Sequence, residues 1–307
     1  MPKKSIVVIG SSNTDMVVNV ARIPRPGETI LGGKFHTAPG GKGANQAVAA
    51  QRAGGDVTFI ASVGHDAFGA QAVAGFAKEG INTAHISRDK SQPSGVALIF
   101  VGADGENSIA VASGANSRLS RANIEKAAKV ISRASVLVMQ LETPLPAIQF
   151  AAKLAAAKKI PVILNPAPAR SLPDALLRQI TILTPNETET ETEAEAEAEI
   201  LTGIKVTDTA SAIMAANALF ARGVCIVIIT LGARGALIAT TGLVQHIPGF
   251  KVKPVDTTAA GDCFNGALAV AFAEGKLLPD AVRFANAAAA LSVTKRGAQP
   301  SAPTRRA

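Results

Sequence analysis

Residues 136–165, VLVMQLETPLPAIQFAAKLAAAKKIPVILN, set two short apolar runs, Val136–Gln140 and Pro161–Asn165, on either side of an alanine-rich segment, Pro146–Lys159. Runs of that length, rich in Val and Ile, fit strands buried on both faces, and the segment between them has the composition of a helix. The same alternation extends outward in both directions. Ser5–Ile9, Val57–Val63, Ile180–Thr184 and Val224–Leu231 are further candidate strands, and Gln46–Ala53, Ala67–Lys78, Ala210–Arg222 and Asp262–Glu274 are candidate helices. Strand and helix in alternation predict an α/β fold: a doubly wound, mostly parallel sheet flanked by helices.

Two regions break that rhythm. Met16–Val20 with Thr29–Phe35, and Val96–Val101 with Ser108–Ala112 around the turn Ala103-Asp104-Gly105-Glu106, pattern as antiparallel ribbons outside the main sheet. Lying over the strand ends, where such sheets bind ligands, they would form a lid.

The 307 residues are 48% hydrophobic, enough to bury a large core as one large domain or two smaller ones. With 11 Phe and no Trp or Tyr, a base-stacking surface for single-stranded nucleic acid is not expected. The formal charge of +8 comes from basic residues scattered along the chain, which favours anionic small ligands or plain solubility over a nucleic-acid groove. Two cysteines make no disulfide framework, so a reducing cytoplasm is the expected location. Cys225, inside the apolar run Val224–Ile229, is expected to be buried, and Cys263 to be a small residue in a packed helix turn. The apolar stretch after Met1-Pro2-Lys3-Lys4 is too short for a signal peptide, and no stretch reaches membrane-spanning length.

Three segments carry chemistry. In Asp256-Thr257-Thr258-Ala259-Ala260-Gly261-Asp262-Cys263-Phe264-Asn265-Gly266-Ala267, residues with almost no side chain open into a helix. Backbone N–H groups at such a start can close on an anion, and a carboxylate beside it can take a proton from an attacking hydroxyl. Taken alone, Asp262 also fits a dipole-stabilising residue at a helix N-terminus. Pro39-Gly40-Gly41-Lys42-Gly43-Ala44-Asn45-Gln46-Ala47 likewise opens a helix, and its glycines allow close backbone approach to a ligand. It matches neither common nucleotide fingerprint, since Gly43 follows Lys42 where Ser or Thr would be needed. Gly10-Ser11-Ser12-Asn13-Thr14-Asp15 lacks the Rossmann glycines as well, but puts an amide and a carboxylate two residues apart, on one face of an extended backbone. That pair suits a polyhydroxylated ligand, or else a simple turn. The run Glu187–Glu199, with seven glutamates and no basic residue, is expected to be a solvated face, helical or mobile.

Together these segments resemble the ribokinase family of carbohydrate kinases, the group that also contains phosphofructokinase-B. Gly40–Gln46 resembles the family's N-terminal signature and Asp256–Asp262 its C-terminal one. Met139–Glu142, Leu164–Ala169, Thr184–Glu189 and Ile229–Gly232 match in order between them. The resemblance covers nearly the whole chain and implies one domain, 1–307, with lid ribbons at about 13–38 and 94–113 inserted in it.

It further implies an ATP-dependent kinase that phosphorylates O5 of D-ribose, with Asp262 as general base and Ala259, Ala260 and Gly261 as an anion hole. The sugar would be held by Asn13, Asp15, Gly41, Lys42, Gly43, Asn45, Glu142 and Asp262. The nucleotide side would comprise Asn186, Thr230, Leu231, Gly232, Ala233, Arg234, Gly235, Gly261 and Asn286, with Asn286 standing where the family commonly has His. Mg²⁺ would be organised by Glu189, or by a later glutamate if the register is anchored downstream of the acidic run, which is longer than in the family pattern. A monovalent cation, K⁺, would sit near Asp256, Thr258, Ser292, Lys295, Gly297 and Ser301, and the family-like assembly is a homodimer through the lid. Neither nucleic acid nor membrane is an implied partner. The alternatives are a kinase for deoxyribose, a ketohexose or a nucleoside, or a catalytically weakened sugar-binding protein. The chain stops where the family usually continues into a final helix, from which lower stability is expected.

Overall fold

The structure, a computed structural model, describes residues 4–187 and 196–307. In chain order its strands are β1 (Ser5–Ile9), β2 (Asn13–Asn19), β3 (Lys34–Gly40), β4 (Asp56–Gly64), β5 (Asn82–Asp89), β6 (Gly95–Val101), β7 (Asn107–Ala112), β8 (Val136–Met139), β9 (Val162–Leu164), β10 (Ile182–Leu183), β11 (Ile226–Thr230), β12 (Gly235–Thr240) and β13 (Leu243–Pro248). Nine of them form one sheet in the order β13-β12-β11-β10-β9-β8-β1-β4-β5. Neighbours from β5 to β11 are parallel, and β12 and β13 extend the sheet antiparallel.

Successive residues of each central strand enter different cores. Ile6 and Val8 pack with helices Lys42–Arg52, Ala260–Ala273 and Leu278–Ser292, while Val7 and Ile9 pack with Leu145–Ala157 and Thr209–Ala221 on the other face. Burial on both faces explains why these strands are continuously apolar instead of alternating. The expected doubly wound sheet is therefore the one observed. The sequence pattern did not point to β5, β12, β13 or the helix Leu278–Ser292. β13 is an edge strand exposed over most of its length, so it lacks the apolar run by which its neighbours were found.

The two ribbons are not separate. β2 pairs in parallel with β6, joining both into one four-stranded sheet of order β3-β2-β6-β7. The partner of Met16–Val20 is also displaced from the expected Thr29–Phe35: β3 begins at Lys34 and runs to Gly40, with Met16 opposite Thr37. Gly32 and Gly33 have φ of 98° and 108°, outside the extended region, which keeps the preceding residues out of the strand.

Cys225 is exposed, contrary to expectation. It lies one residue ahead of β11, so Val224 turns into the core and Cys225 outward. Cys263 is buried in its helix, as expected, and burial pushes its thiol up to about 12. Most of the acidic run, including Glu189, lies outside the described residues. Of its described glutamates, Glu187 and Glu197 are buried and Glu199 partly so, and Glu197 opens the helix Glu197–Thr202. Among the described residues no helix is long and apolar enough to cross a membrane.

Candidate active site

A cleft of about 340 Å³ opens at the strand ends of the main sheet, lined on one side by Ala97, Ile99, Ile109 and Val111 of the four-stranded sheet. Ala97 pairs with Val111 and Ile99 with Ile109, so the apolar wall is two cross-strand pairs on one face.

Asn13 and Asp15 lie two residues apart on β2 and both line the cleft. Asn13 is fixed by the Asn116 side chain, whose amide donates to Asn13 Oδ1 at 2.7 Å. Gly41, at φ 89°, lets the chain turn tightly against β2, where a Cβ would come within 2.7 Å of the Asn13 nitrogen. The turn delivers Lys42, whose backbone N–H donates to Glu142 Oε2 at 3.0 Å, and Ser11 Oγ also donates to that carboxylate. Glu142 thus ties the end of β8 to the helix start. Burial, then the neighbouring charges of Glu142 and Asp262, push the Asp15 carboxyl up to about 6.

Asp262 is the third residue of helix Ala260–Ala273 and is buried. Asn45 Nδ2 donates to its Oδ2 and Gln46 Nε2 to its Oδ1, each at 2.9 Å. Burial raises its pKa, opposed by the charge of Lys42 and by these two hydrogen bonds. The helix approach that brings them together depends on Gly266: a Cβ there would meet Ala49 Cβ, Ala50 N and Gln46 O, each at 2.7 Å.

At the start of the same helix Ala259 is left-handed, at φ 59° and ψ 20°, a strained conformation for a residue with a Cβ. A Cβ on Gly261 would meet no protein atom within 4 Å, so its missing side chain leaves room in the cleft and not in the core. The preceding loop is anchored by Asp256, whose two oxygens accept from the backbone N–H groups of Thr258 at 2.9 Å and Gly297 at 2.8 Å. Burial alone would raise its pKa, but those bonds, with Gly297 the stronger, hold it below the usual carboxylate value.

Asn186 and Thr230 meet in an isolated parallel bridge and line the far end of the cleft. Glu197 lines it too. Its Oε2 accepts from the Asn186 backbone N–H at 3.1 Å and from Asn165 Nδ2 at 3.4 Å, and its own N–H donates to Asn186 Oδ1 at 2.8 Å.

One family model, described as pfkB family carbohydrate kinase, matches residues 3–305. The chain belongs to the pfkB family of carbohydrate kinases. It is 47% identical over 303 residues to the ribokinase of Haemophilus influenzae, covering 99% of this chain and 96% of that one. It is 37% identical to a deoxyribokinase of Salmonella typhi, covering 97% of this chain and 95% of that protein. Among solved structures, Arabidopsis thaliana ribokinase complexed with ribose and ATP superposes with a TM-score of 0.89 at 32% identity, covering 100% of this chain and 97% of that chain.

For this pfkB kinase, Asn13, Asp15, Gly41, Lys42, Asn45, Glu142, Asn186, Thr230, Thr258, Ala259, Ala260, Gly261 and Asp262 all line the one cleft. Other expected residues stand outside its lining. Gly43 packs under β1, where a Cβ would fall 2.5 Å from the Ser11 nitrogen. Leu231, Gly232, Ala233, Arg234 and Gly235 form a turn after β11, and Arg234 is ion-paired with buried Glu187. Asn286 donates to the carbonyls of Ile247 and Pro248, at 3.1 and 3.3 Å, tying helix Leu278–Ser292 to β13. Of the expected cation residues, Asp256 and Gly297 are joined directly, while the hydroxyls of Ser292 and Ser301 bond carbonyls within their own helices and Lys295 N–H bonds Ser292 O. The expected list omitted Gln46, Asn165, Thr184, Glu197 and Asn265. Gln46 and Asn165 stood inside matched segments, but nothing in the sequence shows that their amides turn toward carboxylates 216 and 32 positions away, Asp262 and Glu197.

Proposed function

We propose that this pfkB kinase transfers the γ-phosphoryl group of ATP to O5 of D-ribose. The observation that carries the reading is the position of Asp262, a buried carboxylate between the polar groups of Asn13, Asp15, Lys42 and Glu142 and the open space over Gly261. The sugar lies against Asn13, Asp15, Gly41, Lys42, Asn45 and Glu142, where an unmatched hydroxyl would leave a buried polar group without a partner. Asp262 accepts the O5 proton as that oxygen attacks in line, and burial, which raises its pKa, makes it a better proton acceptor than an exposed carboxylate. Backbone N–H groups at Ala259, Ala260 and Gly261 receive the charge developing on the transferred group. ADP and the phosphorylated sugar are the products.

Asn186 and Thr230 lie on the nucleotide side, with the Leu231–Gly235 turn beyond them. For Mg²⁺, the buried and doubly anchored Glu197 fits: it faces the cleft beside Asn186, and a hard cation that borrows phosphate oxygens needs only one or two carboxylates. When bound, Mg²⁺ neutralises charge on the phosphate oxygens. Glu197 therefore supports the downstream register over Glu189, and Glu197→Gln is expected to weaken Mg²⁺-dependent turnover while Glu189→Gln is not; the reverse pattern in Mg²⁺ titrations would restore Glu189. K⁺ would be held by backbone carbonyls of the loop Asp256–Thr258 and Gly297, whose approach is fixed by the Asp256 carboxylate accepting from the Thr258 and Gly297 N–H groups. The four-stranded sheet acts as the lid, inserted in a single unit spanning 1–307.

The relative named deoxyribokinase keeps one second reading open, in which 2-deoxyribose is the better sugar. A panel of D-ribose, 2-deoxyribose, a ketohexose and a nucleoside with ATP and Mg²⁺, ranked by kcat/KM, tests both. D-ribose is expected first; a different sugar ahead of it by tenfold or more, about 1.4 kcal/mol of transition-state discrimination, would reassign the substrate.

A further inference from the structure

Gln46 is fully buried, does not line the cleft, and sits at the centre of a chain of amides. Its two N–H groups are both committed: Nε2 donates to Asp262 Oδ1 at 2.9 Å and to Asn165 Oδ1 at 3.0 Å. Its carbonyl oxygen accepts from Gln140 Nε2 at 2.6 Å. Asn165, oriented in turn by receiving that bond on its oxygen, directs Nδ2 toward the Thr184 carbonyl at 3.3 Å and Glu197 Oε2 at 3.4 Å. Every amide is therefore turned one way. The donors of Gln46 and Asn165 point outward to the two carboxylates that face the cleft, and the oxygens of those two amides accept inside the protein from Gln140 and Gln46; Gln140 Oε1 is buried without a hydrogen-bond partner among the described residues.

We propose that Gln46 is a positioning residue for phosphoryl transfer, held by Gln140 so that its amide fixes the Asp262 carboxylate and, through Asn165, joins it to Glu197. The proposal rests on the reading of Asp262 as the base. A carboxylate that must both stay ionised and point at one hydroxyl needs donors that bring no competing charge, and an amide supplies that. Asn45 holds the other oxygen, so removal of Gln46 leaves the carboxylate free to rotate about a single bond. The charged groups around Asp262 come from other elements: Lys42 at the start of the neighbouring helix, Glu142 after β8 and Asp15 on β2. Burial opposes the ionised form most and the neighbouring acids oppose it too, while Lys42 and the donors of Asn45 and Gln46 favour it, so each donor lost leaves burial less opposed.

The test uses the full chain with ATP, Mg²⁺ and D-ribose. Gln46→Met, close in shape but without the donor, is expected to lower kcat by about ten- to a hundredfold, the loss of one hydrogen bond to a charged group. KM for both substrates is expected to stay within about threefold, because Gln46 touches neither. The acidic limb of the kcat–pH profile is expected to move up by about one pH unit. In an Asp262→Asn background, Gln46→Met is expected to change kcat by less than about twofold, since effects acting through one group do not add. An unmoved acidic limb, or the same loss in both backgrounds, would overturn the positioning role. Should Gln46→Met fail to fold, Gln140→Met, which touches Gln46 and no carboxylate, is read the same way: a limb moved up supports the proposal and an unmoved limb overturns it. A fully active Asp262→Asn would remove the base reading itself, whereas an inactive Asp262→Asn beside a normal Gln46→Met would remove only the role of Gln46.

Discussion

At the scale of single residues the cleft is an arrangement of carboxylates whose environments differ. Asp15 is half-buried among acids, with its carboxyl pushed up to about 6 by desolvation and by Glu142 and Asp262. In the proposed sugar-binding role it is ionised above that pH and would accept from sugar hydroxyls; as pH falls through 6 it takes a proton and that acceptor would be lost. KM for the sugar is therefore expected to rise as pH falls below 6 and to level off above about 7, one unit beyond the midpoint, with Asp15→Asn abolishing the dependence. A wild-type KM flat between pH 5 and 8 would contradict the role of Asp15. Asp256, by contrast, has its oxygens occupied by the N–H groups of Gly297 and Thr258 and stays ionised through that range. Residue identity alone does not distinguish these acids. Asp15, Glu142 and Asp262 were legible because each falls in a patterned segment, whereas Gln46 was visible only as part of a helix start.

At the scale of elements, two helix starts and one strand end make the site, and small residues set how closely they approach. Gly266 and Gly261 lie on one helix and do opposite things. A Cβ on Gly266 strikes the helix Lys42–Arg52, while one on Gly261 strikes nothing in the protein. Gly266→Ala is expected to destabilise the fold by about 1–3 kcal/mol through overpacking and to lower activity by displacing Asn45 and Gln46 from Asp262. Gly261→Ala is expected to leave the melting temperature unchanged or slightly higher, since Ala is the better helix former by about 1 kcal/mol, while activity falls because its methyl enters the anion space. Equal thermal stability in the two variants would show that the helix spacing is not set at Gly266. Strands buried on both faces announced themselves as apolar runs, and so did the helices between them. β13 did not, because it is an edge strand exposed over most of its length, and β12, though buried, is short and opens on Gly235 and Ala236. The helix Lys42–Arg52 begins four residues before the expected start: its first turn includes Gly43, a poor helix former, and is held by packing on β1 and by the bond from Ala44 N–H to Ser11 O at 2.8 Å.

At the scale of the whole molecule, the parallel pairing of β2 with β6 decides the architecture, because it converts two ribbons into one sheet that covers the strand ends. That pairing joins segments about eighty positions apart and leaves no local mark. The sheet also exposes Phe35 and Leu98, and Leu31 just ahead of β3 is exposed as well; we propose that these apolar side chains form the homodimer contact that the family resemblance implies. Sedimentation at working concentration is expected to give a dimer that Leu98→Lys weakens; a monomer throughout would contradict it. Asp262 lines the cleft together with Asn13 and Asp15 of β2, Lys42 at the neighbouring helix start and Gly261, beside which the cleft is open. The most direct measurement is the turnover of Asp262→Asn with D-ribose, ATP and Mg²⁺, beside calorimetric binding of the sugar. The expected result is a kcat lower by about 10² to 10⁴ with sugar binding retained, the range for loss of a general base, and a variant that turns over at the wild-type rate would contradict it.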